Sequence, residues 1–297
     1  MELCLGTVQF GLDYGIKGQK KPNIDDAVAW MDYAIQNGIR AIDTARAYGE
    51  AEKVVGAFLK CRIIPREELF ISTKFKPNML DDHEQSDYAG IITEELQEQL
   101  ETLHTDYVDA YLFHSSRYAF DEDKIEALTE VKEKGLSRKI GVSVYEPEEA
   151  IACFRNEKVD FIQLPYSIFD HRMKDAGVLG HPEKGACEIH SRSAFIQGLI
   201  TMKEEEVPPY LEKAKPILRK IAGICEREHI NRVALAMQYV KREKGISHLV
   251  FGVDSLEQLK EDIEFFNSDI DQGLLESIGK EFDGIEADIV MPSLWKK

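Results

Sequence analysis

Four side chains able to do chemistry fall at or just past the ends of apolar runs. Asp43 closes "IRAID", Lys74 closes "LFISTK" and His114 closes "AYLFH", while Tyr48, beside Gly49, lies five residues past Asp43. A free phenol has a pKa of about 10 and releases its proton reluctantly at neutral pH. A nearby cation stabilises the phenolate and lowers that value, and Lys74 can supply the cation. Asp43 can hold Lys74 in place and balance its charge, and His114 can hydrogen-bond a substrate carbonyl oxygen. The set reads as a tuned general acid facing an electrophilic carbonyl. None of these groups donates hydride, so a reduction built on them requires a nicotinamide. Each residue also has a plainer use. Asp43 followed by Thr44 fits a helix cap, Lys74 a solvated strand end, His114 a satisfied half-buried imidazole and Tyr48 a packing aromatic. Four polar choices at neighbouring strand ends favour the chemical reading.

Elements must bring these residues together. The chain alternates near-continuous apolar runs ("LCLGTVQFG", "IRAIDTA", "LFISTKF", "DYVDAYLFH", "SRKIGVSVY", "VDFIQLPYS", "ACEIHSRSA", "SHLVFGV") with stretches whose apolar residues recur every three or four positions. Buried strands joined by helices imply a parallel sheet, and eight such units in one chain fit a (β/α)8 barrel. A doubly wound sheet would carry G-x-G-x-x-G after its first strand, and "GTVQFGLDYG" does not match. The prediction is one barrel domain over 1–297, with an insertion-like loop at about 199–216 and a tail at about 283–297. In a barrel, polar residues at the C-terminal strand ends share one mouth.

Composition narrows the classes. The 297 residues are 43% hydrophobic and 31% charged, with a net charge of −17. That balance is of a soluble globular protein and argues against nucleic acid, which wants a basic face. No apolar stretch is long enough to span a membrane, and the first residues lack the pattern of a signal peptide. Cys4, Cys61, Cys153, Cys187 and Cys225 are scattered without a C-x-x-C pair, as expected of reduced thiols in a cytoplasmic protein. The histidines form no H-x-H pair, so a metal hydrolase is disfavoured and no metal is expected. No obligate protein partner is evident.

The blocks "GIRAIDTARAYGEAEKVVG", "ISTKF", "AYLFH", "GVSVYEP", "IQLPYS", "QGLI" and "VFGVDSLEQLKEDI" together resemble the aldo-keto reductases, in order, from about Gly6 to Asp262. The resemblance implies a barrel that binds NADP(H) across its C-terminal mouth, with NAD(H) left open, and reduces a small-molecule aldehyde or ketone. By position, Tyr48 is then the acid, Lys74 and Asp43 tune it and His114 orients the carbonyl. Gly6, Thr7 and Asp43 would face the cofactor, and Ser143 and Gln163 would grip the nicotinamide amide. Ser193, Phe195, Gln197 and Gly198 would line the phosphates. Gly252, Ser255, Gln258, Glu261 and Asp262 align with the adenosine block. Ser255 opening a helix suits a phosphate, though Ser255 and Gln258 also read as a capping box.

This sequence departs from the family pattern at three places. Arg192 stands where an aromatic usually stacks on the nicotinamide, Val144 where Asn is common, and Asp262 where Asn is usual at the adenine. The adenosine block also lacks the Arg or Lys that commonly pairs a 2′-phosphate, and Lys260, two residues from Gln258, faces another way. Arg117 and Arg192 hint at an anionic substrate, with a surface role the plainer reading of Arg117. The alternative to an enzyme is a cofactor-binding regulatory or scaffold protein of the same fold with little turnover.

Overall fold

All eight apolar runs form strands. The structure, a computed structural model, describes residues 1–296. The strands are β1 (Glu2–Gly6), β2 (Ala41–Asp43), β3 (Phe70–Phe75), β4 (Val108–Phe113), β5 (Ser137–Ser143), β6 (Phe161–Pro165), β7 (Glu188–Arg192) and β8 (His248–Phe251). They pair in parallel in sequence order, and β8 returns to β1, closing a (β/α)8 barrel. Helices such as Ile24–Gln36, Ala51–Cys61 and Gln85–Leu103 cover the outside. Their starts follow local chemistry: Asn23 and Asp121 accept the Asp26 and Lys124 amides at 2.8 and 3.0 Å, satisfying amides that the helix itself leaves unpaired.

Most strands are shorter than the runs that contain them, and the first two runs show why. The first ends at Gly6, because Thr7 leaves the extended region (φ −109°, ψ 7°) and its carbonyl accepts the Phe10 amide at 2.9 Å. Val8–Gly11 is therefore one helical turn lying over the barrel end. The second run pairs only from Ala41, three residues long.

Strand alternation decides which side chains enter the barrel. Asp43 registers with Ser72, and Lys74 is two residues further along β3, so all three point inward. The same parity turns Ser143, Gln163 and Arg192 inward at the C-terminal ends of β5, β6 and β7. At the opposite end the interior is filled by Phe70, Phe161, His190 and His248, with the two imidazole centroids 4.2 Å apart and Glu188 bonded to His190 at 3.0 Å. That polar plug replaces the branched aliphatic layers common in such barrels.

The stretch anticipated as a loop, 199–216, is a series of short turns (Ile196–Thr201, Glu204–Glu206, Pro209–Ala214) leading into the helix Lys215–Glu228. In the tail, Ile289, Val290, Met291 and Trp295 are buried, and Trp295 packs beside Tyr210; Lys297 lies outside the described residues. No helix among the described residues is long and apolar enough to cross a membrane.

Candidate active site

A cleft of about 510 Å³ opens at the C-terminal end of the barrel, within the size range of small-molecule sites. At its floor, Lys74 is fully buried and Asp43 nearly so. The Lys74 ammonium donates to both Asp43 carboxylate oxygens at 2.7 and 2.8 Å and to the Thr44 carbonyl at 3.0 Å. Asp43 Oδ1 also accepts from Ser72 Oγ at 2.9 Å and Gln163 Nε2 at 2.8 Å. Asp43 is thus the hub of a buried network and caps no helix. Removing one partner of such a pair costs roughly 3–5 kcal/mol, so the arrangement is set by folding.

Tyr48 hangs over this pair, its ring centroid 5.1 Å from the Lys74 ammonium and 5.7 Å from the His114 ring, edge to face. The position of Tyr48 depends on glycine. A side chain on Gly11 would collide with the Tyr48 carbonyl at 1.8 Å, and Gly49 has φ +60° with Leu12 against it. The Val8–Gly11 turn and the Tyr48–Gly49 turn therefore lock together, and the Glu50 amide donates to the Gly11 carbonyl at 3.3 Å.

The electrostatics separate the titrating groups. Burial pushes the Lys74 ammonium down, but Asp43 and Tyr48 together outweigh it and hold the group above its ordinary value. Burial, aided by the Lys74 and Arg192 charges, pushes His114 down to about 3, with Asp43 opposing; the imidazole is neutral at pH 7. Burial raises Tyr48, Lys74 lowers it, and the net direction is up. The expected downward tuning by Lys74 is present and is outweighed by desolvation.

Gly6, Thr7, Ser143, Gln163, Arg192, Ser193, Phe195, Gln197, Gly198, Gly252 and Gln258 line the same cleft as Asp43, Tyr48 and His114. Lys74 lies beneath it. Ser255, Glu261 and Asp262 are not in the lining. Ser255 Oγ accepts the Gln258 amide at 3.1 Å and Gln258 Oε1 accepts the Asp254 amide at 2.9 Å, a helix cap for Leu256–Asn267. Glu261 faces solvent, and Asp262 is buried under the helix. Arg192 donates to the Val144 carbonyl at 2.9 Å, its guanidinium 4.2 Å from the Tyr145 ring centroid. Arg117 is bound to Asp81 at the surface, outside the lining.

Sequence reasoning missed Gln9, Tyr14, Tyr145 and Asp254, all in the lining. Tyr145 had a signal, since it lies two residues past Ser143 with the same parity. Tyr14 had only its glycine-rich setting: it sits on a small hairpin bridged to Gln19, which docks on the 196–198 turn through the Ile16 amide and the Gln197 carbonyl at 3.1 Å.

These residues fit a nicotinamide dinucleotide. Gln163 Oε1 and Gln9 Oε1 are buried acceptors without a partner among the described residues, as is one nitrogen of His114, and buried polar atoms ordinarily find one. The backbone from Ile196 to Gly198 holds φ of 48°, 54° and 90°, a left-handed run disfavoured for Ile and Gln and of the kind kept at ligand sites.

Residues 2–280 match the model of the "Aldo/keto reductase family". The chain is 26% identical over 263 residues to "Uncharacterized oxidoreductase YqkF" of Bacillus subtilis (strain 168), covering 82% of each chain. It is 28% identical over 259 residues to "L-galactose dehydrogenase" of Arabidopsis thaliana, covering 80% of this chain and 77% of the relative. Among solved structures, the holo form of aldo-keto reductase AKR11C1 from Bacillus halodurans superposes with a TM-score of 0.77 at 22% identity, covering 99% of this chain and 95% of that one. The chain belongs to the aldo/keto reductase family, whose members are nicotinamide-dependent oxidoreductases.

Proposed function

We propose that this single barrel domain reduces an aldehyde or ketone to the alcohol, with Tyr48 as the general acid. The observation that carries the reading is the gathering of Lys74, Asp43, Tyr48 and a neutral His114 at the floor of a cleft of about 510 Å³. A bound reduced nicotinamide cofactor would supply the hydride. The Tyr48 hydroxyl gives its proton to the carbonyl oxygen as negative charge develops there. Lys74, pinned by Asp43, stabilises the phenolate left behind. His114, neutral, donates a hydrogen bond that places the carbonyl oxygen. Ser143 and the unpartnered Gln163 oxygen, which line the cleft with Tyr48 and His114, would hold the carboxamide of the nicotinamide.

The test is reduction of a panel of small aldehydes by wild type and Tyr48→Phe. Wild type should turn over, and the variant should lose roughly 10²–10⁴-fold in kcat, the usual contribution of a positioned acid, while binding cofactor unchanged. Cofactor binding without turnover, identical in both proteins, would instead indicate the non-catalytic, regulatory alternative.

A further inference from the structure

The two ends of the cleft differ in charge. Strand order is closed and sequential, so β8 lies across the barrel from β4. His114 follows β4, and Gly252, Asp254 and Gln258 follow β8; all line one cleft. A dinucleotide whose nicotinamide rests beside Tyr48 and His114 would cross the cleft past the Ser193–Gly198 turn, which brings its adenosine ribose toward Gly252–Gln258, the residues aligned with the adenosine block. Gly252 keeps that approach narrow, since a side chain there would strike Gln9 at 2.1 Å.

That corner is acidic. The Asp254 carboxylate makes no hydrogen bond or ion pair among the described residues, and partial desolvation at the cleft rim lifts it above its ordinary value, with no cation opposing. Glu257 opens the adjoining helix. Asp262 is raised to about 7 by burial and by the charges of Glu261 and Asp254, which places these acids within electrostatic reach of one another. The cations nearby, two of which line the same cleft, are engaged by other groups. Lys260 lies 5.7 Å from the centroid of the Tyr33 ring. Lys17 is paired with Glu206 at 2.7 Å. Arg192 is bonded to the Val144 carbonyl at the other end.

We propose that Asp254 makes this protein selective for NAD(H) over NADP(H), accepting a hydrogen bond from the adenosine ribose 2′-hydroxyl and repelling a 2′-phosphate; the inference rests on the reading of the cleft as a nicotinamide-cofactor site. A hydroxyl donating to a carboxylate is a charge-assisted bond, whereas a phosphate monoester brings almost two negative charges to a group that is itself anionic. Nucleotide-binding sheets of other architecture use the same discrimination, with a carboxylate for the 2′-hydroxyl and an arginine for the 2′-phosphate.

Equilibrium titration of the purified protein with NADH, NADPH, NAD⁺ and NADP⁺, followed by calorimetry, reads the preference directly without turnover. The wild type should bind NADH at least about 10-fold more tightly than NADPH, a ratio that shrinks with added salt as the repulsion is screened. Asp254→Arg should gain about 10-fold or more for NADPH, and Asp254→Asn should narrow the ratio by removing the charge at nearly constant size. Both substitutions are at an exposed position, and thermal melts verify that the variants fold. NADPH binding as tight as NADH in wild type, or a ratio unmoved by either substitution, overturns the proposal. NADPH preference together with Tyr48-dependent turnover would overturn only this selectivity. No binding of any dinucleotide would overturn both it and the reading of the cleft.

Discussion

At the scale of single residues, the site works by keeping its groups in fixed protonation states. Tyr48 is held above its ordinary value of 10, so the phenol keeps its proton through pH 9. His114, at about 3, stays neutral down to pH 5. The reduction rate at saturating substrate and cofactor should therefore be flat from pH 6 to 9. Alcohol oxidation needs the phenolate, whose share rises about tenfold per pH unit below its pKa, so its rate should climb across the same range. Initial rates in both directions check this, and an apparent pKa between 6 and 9 in the reductive direction would contradict it. The identities of Asp43, Lys74 and His114 were legible in the sequence because each ends an apolar run, and strand parity does the rest. The net direction of the Tyr48 shift was not legible, because it is decided by how completely the fold excludes water, which no spacing reveals.

At the scale of elements, the position of Tyr48 rests on two turns that are far apart in sequence. Gly11 and Tyr48 come from different βα units, and only the folded barrel brings the Gly11 α-carbon against the Tyr48 carbonyl. This contact was not legible in advance, whereas the helices and strands around it were, since their periodicity is local. Gly11→Ala should cost about 1–3 kcal/mol, as overpacking against backbone does, and should displace the Tyr48 turn. The expected outcome is a lower urea midpoint together with a fall in kcat of about tenfold or more. A destabilised variant with unchanged kcat would show that the turn tolerates the shift.

At the scale of the whole molecule, the barrel itself was the most legible feature, because eight apolar runs separated by helical ones admit few architectures. The β8 corner was the least legible. In the sequence Asp262 stands out only as an acid where Asn is usual and Asp254 not at all, and tertiary packing encloses the first and puts the second in the cleft lining. Asp262 is 1% exposed, one of its carboxylate oxygens has no partner among the described residues, and its pKa is raised to about 7. In the unfolded chain it titrates near its ordinary 3.8, so folding is penalised in full above pH 7. The penalty fades as pH falls from 7 toward 3.8, where the folded form takes up its proton first. Asp262→Asn should therefore stabilise the protein at pH 8 by up to about 4 kcal/mol, at about 1.4 kcal/mol per pKa unit, with the gain shrinking toward pH 4. Chemical denaturation of both proteins at several pH values measures it, and a gain independent of pH would show that the carboxyl is not the cause.

Closure of the barrel has a further consequence. Gly6 and Thr7 belong to the first strand and its exit, Gly252 and Asp254 follow the last, and β1 and β8 are neighbours whose exits share one cleft. The seam where the earliest and latest strands meet is thus also a wall for the guest. A molecule bound there would favour the closed sheet over the open chain, so that occupancy and closure would reinforce each other.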